Sequence, residues 1–532
     1  MKWLKWLLVV GLALLVLGAA SVWSWGQFAR RAVGEATQAL PVSADQTALD
    51  RWATPLLAEH PGTTGAILVN DNLQAYALRA QTARHAGRSL DVQYYLWHDD
   101  LTGRALKDEL LTAAERGVRV RVLIDDMNGM GLDKSLLAMD AHPNLEVRLF
   151  NPARNRGSTW ARGMEMVLRV FSFNRRMHNK AWIADNRVAL VGGRNIGNEY
   201  FDAAKVNFHD ADLLMVGEGV AQTSAIFDEF WNSQSVIPIA AMHGESDAAM
   251  LGKVQAQREQ WRAKLQASEF SAAVAQLMAR PETVYDPERW HWVKQLRVLS
   301  DPPAKAGPIE TGRAPEYWLM FDVLQSLFTA QKELRLISPY FVPGNTGTML
   351  FSGMAVRGVN VGILTNSLAA NDVPAVHAGY ERYRQPLLQS GVRLWELKPG
   401  DRSSARAPED REASSGKTAV LGSSGASLHT KAFIVDGVRG CVGSFNFDPR
   451  SASLNTEMGV LFEHPALAQE LIALFDEAKQ PNTSYQVSLA PDGSLQWRDS
   501  PNGKTWDHEP ETSWVLRSFT WLISLLPIES QL

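Results

Sequence analysis

Cysteine is almost absent. The chain has 532 residues and one cysteine, Cys441, so no intramolecular disulfide can form and no cysteine-based zinc or iron–sulfur site can be built. The compartment stays open on that count, because a periplasmic protein can do without disulfides. Net charge is scarce too. Lys and Arg number 53 against 57 Asp and Glu, a balance of −4, with a pI near 6.3. A general nucleic-acid binder is expected to be strongly basic, so that class is disfavoured, though a local basic site is not excluded. No carboxylate cluster with metal-ligand spacing stands out, and neither a metal nor another cofactor is expected. What is present is apolar. With 45% hydrophobic and 21% charged residues, the chain is not disordered, and its length corresponds to about three domains.

The N-terminus has its own character. Lys2 and Lys5 precede Trp6 to Trp25, twenty residues whose only polar groups are serines and tryptophan edges. As a helix they would rise about 30 Å, the thickness of a hydrocarbon core. Trp3, Trp6, Trp23 and Trp25 fall near the ends, where interfacial aromatics sit. A membrane anchor over 1–30 is the expected reading, and a cleaved signal peptide the alternative. The leading lysines favour a cytoplasmic N-terminus, against which Arg30 and Arg31 pull. Near the other end, Ser513 to Leu526 is apolar with one charge. It is too short to span, so it reads as an interfacial helix or as one docked on the core.

The chain also repeats itself. His178, Lys180, Asp185, Gly192, Gly193 and Asn195 recur as His429, Lys431, Asp436, Gly443, Ser444 and Asn446, each pair 251 residues apart and without a gap. Upstream, strand Ser89–Trp97, helix Thr102–Arg116 and strand Val118–Ile124 match Leu334–Phe341, a helical stretch and Val359–Leu364. Such units predict an α/β architecture, a parallel or mixed sheet flanked by helices and built twice. The expected halves are 45–235 and 305–480, joined by a helical connection over 236–304. The stretch 399–427 reads as a loop feeding into His429. A small hairpin with an Asp492-Gly493 turn and the apolar helix fill 485–532. Cys441 falls in an expected buried strand and reads as core.

In a strand, alternate residues share a face, so His178 and Lys180 are expected to point together while Ala181 and Ile183 point into the layer behind. The same holds for His429, Lys431, Ala432 and Ile434. Asp185-Asn186 and Asp436-Gly437 sit where a two-residue turn reverses the chain, and a turn-forming role for these aspartates is at least as probable as chemistry. Two halves packed by a pseudo-twofold bring together two His, two Lys and two Asn. That set suits a phosphodiester. One neutral His attacks phosphorus and the other, protonated, donates to the leaving oxygen. The lysines and amides stabilise the non-bridging oxygens. Each His needs a partner on its second ring nitrogen, for which Asp210 and Glu457 are the candidates.

At these residues the sequence resembles the phospholipase D superfamily, whose signature is the duplicated His-x-Lys-x4-Asp. It is most similar to the bacterial type C cardiolipin synthases, through Leu90–Tyr95, Arg176–Lys180, Val191–Gly197, Leu364–Asp372, Ser424–His429 and Gly443–Ser451. The resemblance implies two α/β/α sandwich domains sharing one site, a phosphohistidine on His178, and His429 as acid and then base. It implies Arg176, Gly193, Tyr340 and Ser444 as substrate-binding residues, with Gly193 departing from the serine many members carry. It further implies transfer of a phosphatidyl group, from phosphatidylethanolamine in the type C group, onto phosphatidylglycerol in a bacterial inner membrane. The anchor would be a single N-terminal pass with the catalytic part periplasmic. Nucleic acid is not expected as a partner, and a small accessory protein stays open.

Two other classes fit parts of the sequence. Arg154, Arg156, Arg162, Arg169, Arg175, Arg176 and Lys180 form a basic strip broken by Glu165, which could follow a nucleic-acid backbone in a nuclease on the same scaffold. It could equally attract anionic lipid headgroups, or be a solvated loop face. A non-catalytic, membrane-tethered lipid-binding protein is disfavoured by the two intact motifs. Hydrolysis is the alternative to transfer, because both share the first step.

Overall fold

The computed structural model describes residues 2–128, 132–156, 158–243, 248–279, 287–307, 318–399, 428–499 and 503–532. The first sheet holds β1 (Thr64–Val69), β2 (Ser89–Tyr94), β3 (Arg119–Asp125), β4 (Leu145–Phe150), β5 (Ala181–Ala184), β6 (Val188–Gly192), β7 (Asp212–Gly217), β8 (Val236–Pro238) and β9 (His291–Val293). The second holds β10 (Gln295–Ser300), β11 (Glu333–Ile337), β12 (Asn360–Asn366), β13 (Arg393–Leu397), β14 (Ala432–Val435), β15 (Arg439–Gly443), β16 (Met458–Glu463), β17 (Ser484–Leu489), β18 (Leu495–Asp499) and β19 (Lys504–Trp506).

The orders are β8-β4-β3-β2-β5-β6-β7-β1-β9 and β10-β16-β15-β14-β11-β12-β13-β17-β18-β19. Read from opposite ends, eight consecutive strands correspond. β2, β3 and β4 pair in parallel, as do β11, β12 and β13, and β5 and β14 add antiparallel beside β2 and β11. The duplication in sequence is therefore a duplication of mixed sheets. β1, β2, β5, β6 and β14 are buried along their whole length, as expected when both faces of a sheet are covered.

Alternate residues of the motif strands go to different cores. Trp182 and Ala184 pack inside the first half, and Phe433 and Val435 inside the second. Ala181 and Ile183 join Ala432 and Ile434 in a layer between the two sheets, with Phe227 and Leu471 from the helices Glu218–Trp231 and Pro465–Ala478. This shared apolar layer holds the halves face to face.

Three expectations change. The His-x-Lys segments lie in extended lead-ins just before β5 and β14, not within the strands. The connection 236–304 is helical only in part: β8 opens it, and near its end β9 joins the first sheet and β10 the second. The hairpin is no appendage, since β17, β18 and a third strand, β19, extend the second sheet. The loop 399–427 lies, from 400 onward, outside the described residues. Cys441 is buried in β15, and burial pushes its thiol up to about 12. The N-terminal helix, Lys2–Arg31, is long and apolar enough to cross a membrane.

Candidate active site

The two motif segments are each stitched to the opposite half. The His178 N–H donates to the Thr456 carbonyl, and the Thr456 N–H to the Arg176 carbonyl, both at 2.8 Å. Correspondingly, the His429 N–H donates to the His209 carbonyl at 2.8 Å. Thr456 precedes Glu457 and His209 precedes Asp210, so each histidine is delivered beside the other half's carboxylate. His178 Nδ1 stands 2.8 Å from Glu457 Oε2, and His429 Nδ1 stands 2.6 Å from Asp210 Oδ2.

Both carboxylates are completely buried and can only accept, so each ring donates its Nδ1–H and keeps the Nε2 lone pair free. Burial pushes both imidazoles down to about 4, against the pull of the paired carboxylates. They are therefore neutral near pH 7. Glu457 and Asp210 are held below the usual carboxylate range. Burial opposes this, but the paired histidine in each case and the nearby lysine outweigh it.

Lys180 and Lys431 complete the pair of cassettes. Each Nζ donates to the carbonyl of the histidine two residues before it, and Lys431 Nζ lies 3.0 Å from His429 Nδ1. Burial lowers Lys180 to about 7 and Lys431 to about 8. Lys431 adds to the depression of Lys180, which places the two ammonium groups within electrostatic reach across the interface.

Asn195 and Asn446 are also buried in the site region. Asn195 Nδ2 donates to the Tyr200 hydroxyl at 2.9 Å, while its carbonyl accepts from the Leu96 N–H. Asn446 Oδ1 has no hydrogen-bond partner, which leaves an acceptor available. The pseudo-symmetry breaks at Gly193. Ser444 donates its hydroxyl to Glu457, and Ser451 donates to the other oxygen of the same carboxylate at 2.8 Å. At Gly193 a Cβ would lie 2.2 Å from Asp210 Oδ1. Glycine is what lets that carboxylate reach His429.

Three sequence expectations are corrected. Asp185 and Asp436 lie at the far ends of β5 and β14 from the histidines. Their φ values of 53° and 52° form the reversing turns with Asn186 and Gly437. Asp185 accepts from the N–H groups of Gly87, Arg88 and Ser89, and Asp436 from those of Gln331, Lys332 and Glu333. The turn-forming reading fits and the chemical one does not. Arg176 is completely buried, with Nη1 3.4 Å from Asp125 and its guanidinium 3.9 Å over Phe173, so it belongs to the scaffold under His178. The basic strip is not a free cationic track. Arg156 pairs with Asp126 and Asp133, Arg162 with Asp126, and Arg169 with Glu165.

Tyr340 lies beside the site, its hydroxyl donating to Asp372 at 2.8 Å. The rings of Tyr95, Tyr200 and Phe208 escaped the sequence reading. Tyr95 stands edge-on to His178 at 5.0 Å, Tyr200 edge-on to His429 at 5.2 Å, and Phe208 packs on His429 at 5.2 Å. They wall the imidazoles from bulk water. Tyr95 ends the stretch Leu90–Tyr95, but nothing local marks it as a histidine neighbour. Two groups have the makings of a cation site among the described residues. In His98, Asp100 and Glu199, the Asp100 oxygens accept from the N–H groups of Gly103 and Asn198. In His377, Glu381 and Glu509, Arg384 already supplies a cation 2.6 Å from Glu509.

Residues 80–231 and 323–479 match the family model described as cardiolipin synthase, PLD-like domain. Cardiolipin synthase C of Escherichia coli K12 is 39% identical over 490 residues, covering 89% of this chain and 98% of that protein. An uncharacterised Helicobacter pylori 26695 protein is 31% identical, covering 83% and 86%. Among solved structures, phosphatidylserine synthase of Haemophilus influenzae Rd KW20 superposes with a TM-score of 0.55 at 14% identity, covering 90% of this chain and 100% of that one. That last likeness concerns the fold.

Proposed function

Since the chain belongs to the cardiolipin synthase family built on PLD-like domains, we propose that it is a membrane-anchored phosphatidyltransferase making cardiolipin, with phosphatidylethanolamine as donor and phosphatidylglycerol as acceptor. The observation that carries the chemistry is the crossed pairing of two histidines with two buried carboxylates.

His178 Nε2 attacks phosphorus, and the bond to the donor headgroup oxygen breaks. That oxygen leaves with a proton from His429. The His429 ring is neutral in the empty site, and the anionic phosphodiester favours its protonation when it enters between the two imidazoles. The glycerol hydroxyl of the acceptor then gives its proton to His429 and attacks the phosphohistidine, releasing His178. Lys180, Lys431 and the side-chain N–H groups of Asn446 are the donors for charge on the non-bridging oxygens. The aromatic wall of Tyr95, Tyr200 and Phe208 disfavours water as the competing nucleophile. Lys2 and Lys5 favour a cytoplasmic N-terminus, which puts the catalytic part on the periplasmic side.

The test is lipid analysis of a cardiolipin-deficient bacterial strain expressing this chain. New cardiolipin that depends on phosphatidylethanolamine supports donor and reaction together. His178→Ala and His429→Ala should each abolish it with the fold intact, and wild-type output from either variant would overturn the mechanism. Release of phosphatidic acid without cardiolipin would point to hydrolysis instead.

A further inference from the structure

The helix Thr159–Leu168 is turned the wrong way round for water. Trp160, Met164 and Val167 recur at helical spacing and face outward, 83%, 48% and 69% exposed. Arg162, Glu165 and the following Arg169 face inward and are only 5%, 5% and 3% exposed. A soluble amphipathic helix has the opposite arrangement. The inward charges are engaged, which fixes the rotation. Arg169 Nη1 donates to Glu165 at 2.7 Å and its Nη2 to Asn151 at 3.0 Å, while Glu165 accepts from the N–H groups of Arg154 and Asn155. Turning the helix over would strand these buried charges.

The N-terminal helix packs beside this helix, at its Leu168–Arg169 end. Arg169 stacks 4.0 Å over Trp25, Arg154 stacks 4.8 Å over Phe28, and Arg154 donates to Ser24 at 3.1 Å. Leu168 Cδ2 lies 3.5 Å from where a Cβ on Gly18 would stand. Gly18 is a further seven residues into the apolar run from Trp25, roughly 10 Å at the helical rise. The cationic end of the contact thus sits at the exit of the span, and the apolar end lies deeper within it.

A second outward apolar face lies on the C-terminal helix, Trp514–Ser524. Thr520 is buried and Arg517 turns back to the Thr512 carbonyl, while Trp514, Trp521 and Leu522 are exposed. The segments that follow the two helices meet. Arg450 donates to the Asn174 carbonyl at 2.9 Å, Asn174 donates to Gln531 at 2.7 Å, and the Arg450 N–H donates to the Leu532 carbonyl. Arg450 lies between Asn446 and Glu457 of the site. The segments that leave both helices are therefore tied to one junction at Arg450, close in sequence to Asn446 and Glu457.

We infer that the helix Thr159–Leu168 is a membrane-inserted element, bedded with the C-terminal helix in the leaflet beside the N-terminal span, so that the cleft is held at headgroup level. This rests on the N-terminal helix spanning the bilayer and is independent of which reaction the site performs. Exposed tryptophan and aliphatic side chains beside a span, with arginines at its exit, are the chemistry of a bilayer interface.

The native thiol is buried, so single surface cysteines can be labelled cleanly. The full-length chain would carry W160C, M164C, V167C or W521C, each labelled with an environment-sensitive dye and held in nanodiscs of phosphatidylethanolamine and phosphatidylglycerol. K253C, on an exposed position of the helix Ala248–Gln266, is the aqueous control. Blue-shifted emission and quenching by acyl-brominated lipid at 160, 164, 167 and 521, but not at 253, is the expected result. Emission at 164 and 167 like that at 253 overturns the inference. A blue shift without lipid quenching also overturns it, because the face is then covered by protein.

Discussion

Glu457, in the second half of the chain, holds the imidazole of His178 in the first half at 2.8 Å, while Asp210 does the same for His429 in the opposite direction. Neither half owns a complete histidine–carboxylate pair. The site exists only when the halves dock, and the apolar layer of Ala181, Ile183, Ala432 and Ile434 makes them dock.

The crossed pairing gives the two carboxylates different effects. Glu457→Gln weakens the partner of the nucleophile, so formation of phosphohistidine should slow. Asp210→Asn weakens the partner of the acid and base, so with an activated donor that needs no acid the intermediate should form and then resolve slowly. Each change should lower cardiolipin synthesis by roughly 10²–10⁴-fold, because each carboxylate fixes the tautomer and orientation of a histidine that attacks or transfers a proton. Rapid-quench trapping of the phosphoenzyme checks the distinction, and identical kinetics in the two variants would count against it.

Gly193 and Ser444 occupy equivalent places and differ for a reason. Gly193→Ala forces a Cβ to within 2.2 Å of Asp210 Oδ1, which accepts from the Ala211 N–H, on the carboxylate whose Oδ2 meets His429. Activity should fall with only a modest change in melting temperature, and Gly193→Ser should recover part of it by donating to Asp210 as Ser444 donates to Glu457. Turnover measured beside thermal unfolding of both variants tests this. Full activity in Gly193→Ala would show that Asp210 relaxes freely.

The motif aspartates should behave as structural residues. Asp185→Ala leaves the N–H groups of Gly87, Arg88 and Ser89 without their acceptor and should cost about 1.5–3 kcal/mol of stability, as for a buried charged acceptor. Asp436→Ala should cost less, because that turn is partly exposed. Turnover per folded molecule should hold in both. Denaturant unfolding combined with active-site-normalised rates decides it.

Acid stability follows from the buried imidazoles. Both titrate at about 4 in the folded protein, against about 6.5 for an ordinary histidine. Between those values the unfolded chain binds more protons, so stability rises with pH across that window and is lost as pH falls from 6.5 through 4. The double variant His178→Gln, His429→Gln should show a shallower fall in melting temperature over that range than the parent. Comparing the two slopes isolates the histidines from the buried carboxyls Asp125 and Asp301, which burial raises to about 6 and which act in the opposite sense.

The sequence by itself determined the duplication, the strand-helix-strand units, the two His-Lys-Asn sets, the reversing turns and the apolar N-terminal segment. These are local or periodic signals: an exact spacing, an alternation, a run of one polarity. It also supplied Asp210 and Glu457 as carboxylates in need of a histidine, but not which histidine each would meet. Only the tertiary structure decided that the pairs cross between halves, because partners more than two hundred residues apart are chosen by which loops the docked sheets bring together. The basic strip was misleading for the same reason. Arg162 and Arg169 look solvated in one dimension, and they turn inward because Asp126, Glu165 and Asn151 are waiting there. That inward turn leaves Trp160, Met164 and Val167 facing out, and no count of charges along the chain contains it.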